Sequence, residues 1–154
     1  MSENCYILLH NVNSINIVVE FANIVLGFNI GNIIISKAEG SAAMSGVPAA
    51  HKLAFKNNKN LLYFADISDV IELIQPHEIL LCVSKRYTDN FFDEEKVIDL
   101  LKQNKKVLIA FSGQKSGFSK QEMDYGLPVS LDIPSDISVL GSAAIILYKI
   151  FKCL

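Results

Sequence analysis

Cysteine is scarce in these 154 residues, and Cys5, Cys82 and Cys153 lie far apart without a C-x-x-C pair. An odd, unspaced set of thiols suits a reducing compartment, each acting as a small buried hydrophobe. His10, His51 and His77 likewise lack metal-ligand spacing, so no metal is expected. Neither sign of charge dominates: 14 basic against 16 acidic residues give −2 and a pI near 5.9. That excludes gripping nucleic acid by net charge alone and leaves room for a local basic edge. Arginine occurs once, as Arg86. The start Met1-Ser2-Glu3-Asn4 has no basic segment, so no signal peptide is expected. The longest apolar stretch, 139–151, contains Lys149 and falls short of the ~20 residues a bilayer needs. The expectation is a soluble, cytoplasmic protein without membrane association.

What the chain does have is a core: 51% of its residues are hydrophobic and 19% charged. One domain spanning 1–154 is expected. Six short runs rich in Ile, Val, Leu and aromatics read as strands: 6–10, 32–36, 61–64, 78–83, 106–111 and 129–133. They are continuous apolar runs, as in a mostly parallel sheet covered on both faces. Helical periodicity fills the intervals at 14–28, 42–56, 68–74, 93–103, 119–125 and 140–152. Gly46 and Pro48 weaken the start of the second helix, and Ser119-Lys120-Gln121-Glu122 is a capping box. The last helix is apolar nearly all round, which predicts burial. Strands alternating with helices define an α/β fold: a six-stranded sheet with helices on both faces.

In such sheets ligands collect beyond the carboxyl ends of the strands. That rule selects 10–13, 37–41, 65–66, 84–87, 112–119 and 134–138. The segment Ser112-Gly113-Gln114-Lys115-Ser116-Gly117-Phe118-Ser119 satisfies neither the P-loop nor the G-x-G-x-x-G pattern. It reads as a ligand loop with free backbone amides or as a structural turn, and Lys115 meets an anion or water. In the second stretch a strand ends at Pro134, and Gly141-Ser142-Ala143-Ala144 open the last helix, allowing close backbone approach to a ligand or a neighbouring segment. His10 is a base or a hydrogen-bonded strand-end histidine. Asp136 is a base or a helix cap, and Phe91-Phe92 read as core or staple.

Together these stretches resemble the carboxyl-terminal motifs of the SPOUT superfamily, in particular its SpoU-like RNA 2′-O-methyltransferases. The carrying residues are Ile109-Ala110-Phe111, Ser112 to Ser119, Glu122, Ile133-Pro134, and Ser138 to Tyr148-Lys149. Asn13-Ser14-Ile15-Asn16 after the first strand resembles the family's first motif. The resemblance implies a carboxyl-terminal trefoil knot, S-adenosylmethionine as cofactor, a homodimer, and tRNA or rRNA as substrate. Carried over, Ser112, Gly113 and Gly117 would sit by the cofactor. Ile133, Ser138, Val139 and Leu140 would enclose its adenine, and Val83 and Ser84 would form another wall. The family's first-motif arginine is absent, Ala22 standing at its position. Arg86 and Asn16 are therefore the candidate catalytic residues. Arg86 sits in Ser84-Lys85-Arg86-Tyr87, where a guanidinium binds phosphate while a ring stacks on a base, or it is an ordinary surface arginine. For Asn16 the choice is fixing ribose or capping a helix.

Three functions follow, in order: an RNA methyltransferase, a catalytically silent dimer of the same fold binding RNA or an adenosyl ligand, and an unrelated α/β protein binding a phosphorylated ligand at 112–117. The wide apolar faces of 14–28 and the last helix give the homodimer a physical motive.

Overall fold

A computed structural model describes residues 2–154. Six strands, β1 (Cys5–Val12), β2 (Asn32–Ala38), β3 (Leu61–Phe64), β4 (Glu78–Cys82), β5 (Val107–Ser112) and β6 (Leu127–Val129), form one sheet in the order β3-β2-β1-β5-β4-β6. Every pairing is parallel. The helices are α1 (Ile15–Phe28), α2 (Val47–Lys56), α3 (Ile67–Ile74), α4 (Glu94–Lys102), α5 (Lys120–Met123) and α6 (Val139–Cys153).

Alternation along the strands divides the core in two. Ile7 and Leu9 of β1, Ile33 and Ile35 of β2, and Ile109 and Phe111 of β5 pack with α1, α2, α4 and α6. Leu8, Ile34, Leu108 and Ala110 point the other way, onto Ile67, Val70 and Ile74 of α3 and onto Phe118. Both faces are therefore dry, and each fully buried Ile or Leu contributes very roughly 1.5–3 kcal/mol. Side chains set the helix starts: Ser14, Asp66, Asp93, Ser119 and Ser138 each accept a backbone N–H of the first turn. The expected capping box at Ser119–Glu122 is present, and a second joins Asp66 to Asp69. No helix among the described residues is long and apolar enough to cross a membrane.

The sixth strand is displaced from its expected place. It occupies Leu127–Val129, and 131–138 is a loop. Pro128 lacks a backbone N–H, but β6 lies at the sheet edge and pairs with β4 alone, where that is tolerated. The second helix begins with a π-helical turn, Ala42–Gly46, before α2 proper, because Pro48 leaves that start short of a donor. Nor is α6 buried all round. Ala143, Ile146, Leu147 and Ile150 face the core, while Tyr148 and Phe151 are about half exposed, at 53% and 52%.

Candidate functional site

Two arrangements lie at the carboxyl edge of the sheet. The larger is a cavity of about 620 Å³ beyond β4, β5 and β6, closed by the start of α6. Eight of the nine residues expected to hold a cofactor line it: Val83, Ser84, Ser112, Gly113, Gly117, Ile133, Ser138 and Val139. Leu140, in the first turn of α6, falls outside and packs partly buried against the core. Arg86 lines the cavity with Lys85 and Lys115. Asn16 does not. It is exposed on α1, where Ile17 faces the cavity and Ser14, not Asn16, caps the helix.

The loop 112–119 is largely an internally bonded turn. Ser112 Oγ accepts the Gln114 N–H (3.1 Å) and reaches the Gly117 carbonyl (3.2 Å), and the Gln114 side-chain amide donates to the Asn11 carbonyl (3.1 Å). Gly113 is required by packing, whatever the cavity it lines holds. A Cβ there would stand 2.7 Å from the Asn11 carbonyl oxygen and 2.9 Å from Val12 Cα. Gly117, at φ +77°, supplies the left-handed turn. Asp136 is not the cap of α6, a role Ser138 takes. Its Oδ2 instead accepts from Ser84 Oγ (2.9 Å), tying the loop before α6 to the end of β4. Ser130, 4% exposed, lines the same cavity. Among the described residues its Oγ is the buried side-chain polar atom with no hydrogen-bond partner.

The second arrangement lies on the face of α3 and α5. Register puts His10 of β1 directly beside Ser36 of β2 and Ser112 of β5. His10 is fully buried; its Nδ1 meets Ser36 Oγ at 2.7 Å and its Nε2 meets Glu122 Oε2 at 2.6 Å. Asp66 Oδ1 stands 4.0 Å from the same Nε2. An ionised carboxylate only accepts, so the Nε2 hydrogen points to Glu122. Burial alone would raise the Glu122 pKa. The Ser119 backbone N–H and the His10 contact outweigh that and hold it below its ordinary value. Phe118 lies parallel to the imidazole, 6.1 Å away and 7° from coplanar.

The ligand atoms of His10, Asp66 and Glu122 all lie within 4.8 Å of one another. One imidazole and two carboxylates make a donor set that fits a divalent cation. No sequence pattern foretold this. The three residues come from β1, the cap of α3 and α5, and only parallel pairing and helix placement unite them. The available signal was weak: a histidine at a strand end, an aspartate after another strand, and a capping-box glutamate.

Comparison with known proteins separates fold from lineage. A putative methylase family protein from Neisseria gonorrhoeae superposes at TM-score 0.77 with 12% identity, covering 97% of this chain and 82% of that one. An AdoMet-bound rRNA methyltransferase from Sinorhizobium meliloti superposes at 0.71 with 10% identity, covering 100% and 58%. Such likeness bears out the expected α/β architecture, a six-stranded parallel sheet with helices, and carries the fold alone. Sequence kinship points elsewhere. A chain from Methanocaldococcus jannaschii described as "Putative type II restriction enzyme MjaORF1200P" is 39% identical over 96% of both chains. One from Aeropyrum pernix, "Putative type II restriction enzyme ApeKORF2002P", is 28% identical over 94% of this chain and 91% of its own. These relatives overturn the expectation of an RNA methyltransferase, and with it S-adenosylmethionine as cofactor. The motifs that suggested both belong to the fold's loop geometry, and Gly113 and Ser112 answer to packing and turn formation. A family model matches residues 40–149, so on a sheet shared with methyltransferases this chain belongs to the family described as RecB-family nuclease (DUF2122).

Proposed function

We propose that this chain is a nuclease that takes a strand of nucleic acid across the carboxyl edge of its sheet. The observation that carries this reading is the gathering of Lys85, Arg86 and Lys115 around one cavity in a chain of net charge −2. A basic rim on a mildly acidic protein is a local device for phosphates. Arg86 also sits 5.5 Å from the centre of the exposed Tyr87 ring, which joins a phosphate-binding guanidinium to a stacking face. Such a pair suits splayed bases, so single-stranded RNA is the proposed substrate and duplex DNA the competing one. The unpartnered Ser130 hydroxyl offers a polar contact inside the cavity.

Phosphodiester hydrolysis needs an activated water and neutralisation of phosphate charge, chemistry that a divalent cation supplies when bound. His10, Asp66 and Glu122 would hold it, one strand away from the cavity through the His10–Ser112 neighbours. A homodimer through α1 and α6 is proposed with this reading, supported by the exposed aromatic face there. So is a knotted path for α6, which closes the cavity, and a cytoplasmic location, consistent with free thiols.

Incubation with labelled RNA and DNA in the presence of MnCl2 tests the reading. The expected result is RNA fragmentation and an Arg86→Ala variant that binds RNA at least about fivefold more weakly with its circular dichroism unchanged. RNA left intact and unbound would end the proposal, and cleavage of duplex DNA alone would overturn its substrate.

A further inference from the structure

We propose that His10, Asp66 and Glu122 form a binding site for one divalent cation of the Mn²⁺ or Zn²⁺ class. The cluster is short of hydrogens. His10 Nε2 has one to give, and two carboxylates face it: Glu122 Oε2 at 2.6 Å and Asp66 Oδ1 at 4.0 Å. Glu122 takes the hydrogen. Asp66 receives none from the ring, its Oδ1 accepting the Ile67 N–H at 2.8 Å. Two carboxylates drawn to one nitrogen repel each other. A dication placed among the three removes that repulsion and uses lone pairs that helix capping leaves free, since a carboxylate has about four such sites.

The imidazole is already oriented as a ligand is, beside a hydroxyl that can either donate or accept. Ser36 Oγ fixes Nδ1 at 2.7 Å, and Phe118 packs parallel to the ring plane. In metal sites the non-ligating nitrogen is secured by a hydrogen bond in this way, which aims the other at the ion. The spacing also suits. Octahedral bonds of roughly 2.1 Å put neighbouring donors about 3.0 Å apart and opposite ones about 4.2 Å apart. The Nε2 distances to the two carboxylates are 2.6 and 4.0 Å and all three ligand atoms lie within 4.8 Å, so a small rotation of the half-exposed Asp66 brings the set into that range. On entry the ring takes its other neutral tautomer: one proton leaves Nε2 as one is gained at Nδ1, Nδ1–H donates to Ser36 Oγ, and the freed Nε2 lone pair turns to the cation as the Nε2–Oε2 gap widens by about 0.4 Å. The way in is past Asp66, whose side chain is 52% exposed while that of His10 is fully buried. One nitrogen with two carboxylates favours Mn²⁺ or Zn²⁺ over Ca²⁺ or Mg²⁺, which prefer oxygen alone, and leaves positions for water.

In its use the site rests on the nuclease reading, yet cation binding is measurable with no nucleic acid present. The full chain is titrated with MnCl2 while the electron paramagnetic resonance signal of free Mn²⁺ is followed, then challenged with ZnCl2. One Mn²⁺ per chain is expected, displaced by Zn²⁺. Asp66→Asn and Glu122→Gln, which keep their capping oxygens, should each weaken binding roughly tenfold or more. Should either variant unfold by circular dichroism, Asp66→Ser supplies the neutral cap. A crystal soaked in MnCl2 should give an anomalous peak among the three side chains. Absence of stoichiometric binding, wild-type affinity in folded variants, or a peak elsewhere each overturns the site. Cation binding without cleavage of nucleic acid leaves the site standing and removes the nuclease reading.

Discussion

At the scale of single residues, crowding and charge explain positions that motifs alone misread. Gly113 and Gly117 look equivalent in sequence and are not. A methyl at 113 would collide with the Asn11–Val12 backbone, whereas nothing lies within 4 Å of position 117 and only its φ of +77° resists a side chain. Gly113→Ala is expected to lose roughly 2–3 kcal/mol, because β1 and β5 must part. Gly117→Ala should lose about 1 kcal/mol, the cost of a left-handed residue. Urea denaturation of both variants checks the ranking, and equal losses would contradict it. Glu122 makes the second prediction. Its folded pKa is depressed, so the stability it adds is present above its unfolded value near 4.3 and lost as pH falls through the folded value. Glu122→Gln should therefore be less stable than wild type at pH 7, by about 1 kcal/mol, with the gap narrowing as pH falls below the unfolded value. A gap that stays constant with pH would show that the carboxylate charge is irrelevant.

At the scale of elements, helix starts do two jobs. Ser138 begins α6 by accepting the Gly141 N–H at 3.2 Å, and it also lines the cavity. Ser138→Ala should cost about 1 kcal/mol, and Ser138→Asp should restore most of it, as read from thermal midpoints. No rescue by aspartate would mean that the hydroxyl acts on something other than the helix. Most elements were legible for the same local reason: caps, capping boxes and apolar runs act within a few residues. Ser14, Asp93 and Ser119 bound their helices within a residue of the periodic reading. β6 was not legible, because Pro128 is permissible only on an edge strand, and edge position belongs to the sheet rather than to the segment. The exposed side of α6 was hidden likewise, since a helix apolar all round does not reveal which face its neighbours leave bare.

At the scale of the molecule, that bare face is the most telling surface. Tyr148 and Phe151 stand beside Phe28 of α1, with ring centroids 6.4 and 6.0 Å away, and Ile145 and Leu154 continue the patch. A second copy covering it is the proposed state. Sedimentation should give a dimer at micromolar concentration, and a Tyr148→Glu, Phe151→Glu double variant should sediment as a folded monomer. A monomeric wild type would remove the dimer from the proposal.

The amino-acid order by itself determined the alternating α/β plan, the parallel sheet and the capped helices, because burial periodicity and local hydrogen bonding are written within short windows. It also marked the strand ends where ligands gather. Only the tertiary structure decided that Gly113 is a packing residue, that Leu140 falls outside the cavity, and that Ser130 is left unpartnered inside it. The meeting of His10, Ser36, Asp66 and Glu122 was decided there too. His10 and Glu122 are 112 residues apart, and their contact exists because β1 lies at the centre of the sheet with α5 laid over its end. Strand order, which no local pattern encodes, set that distance.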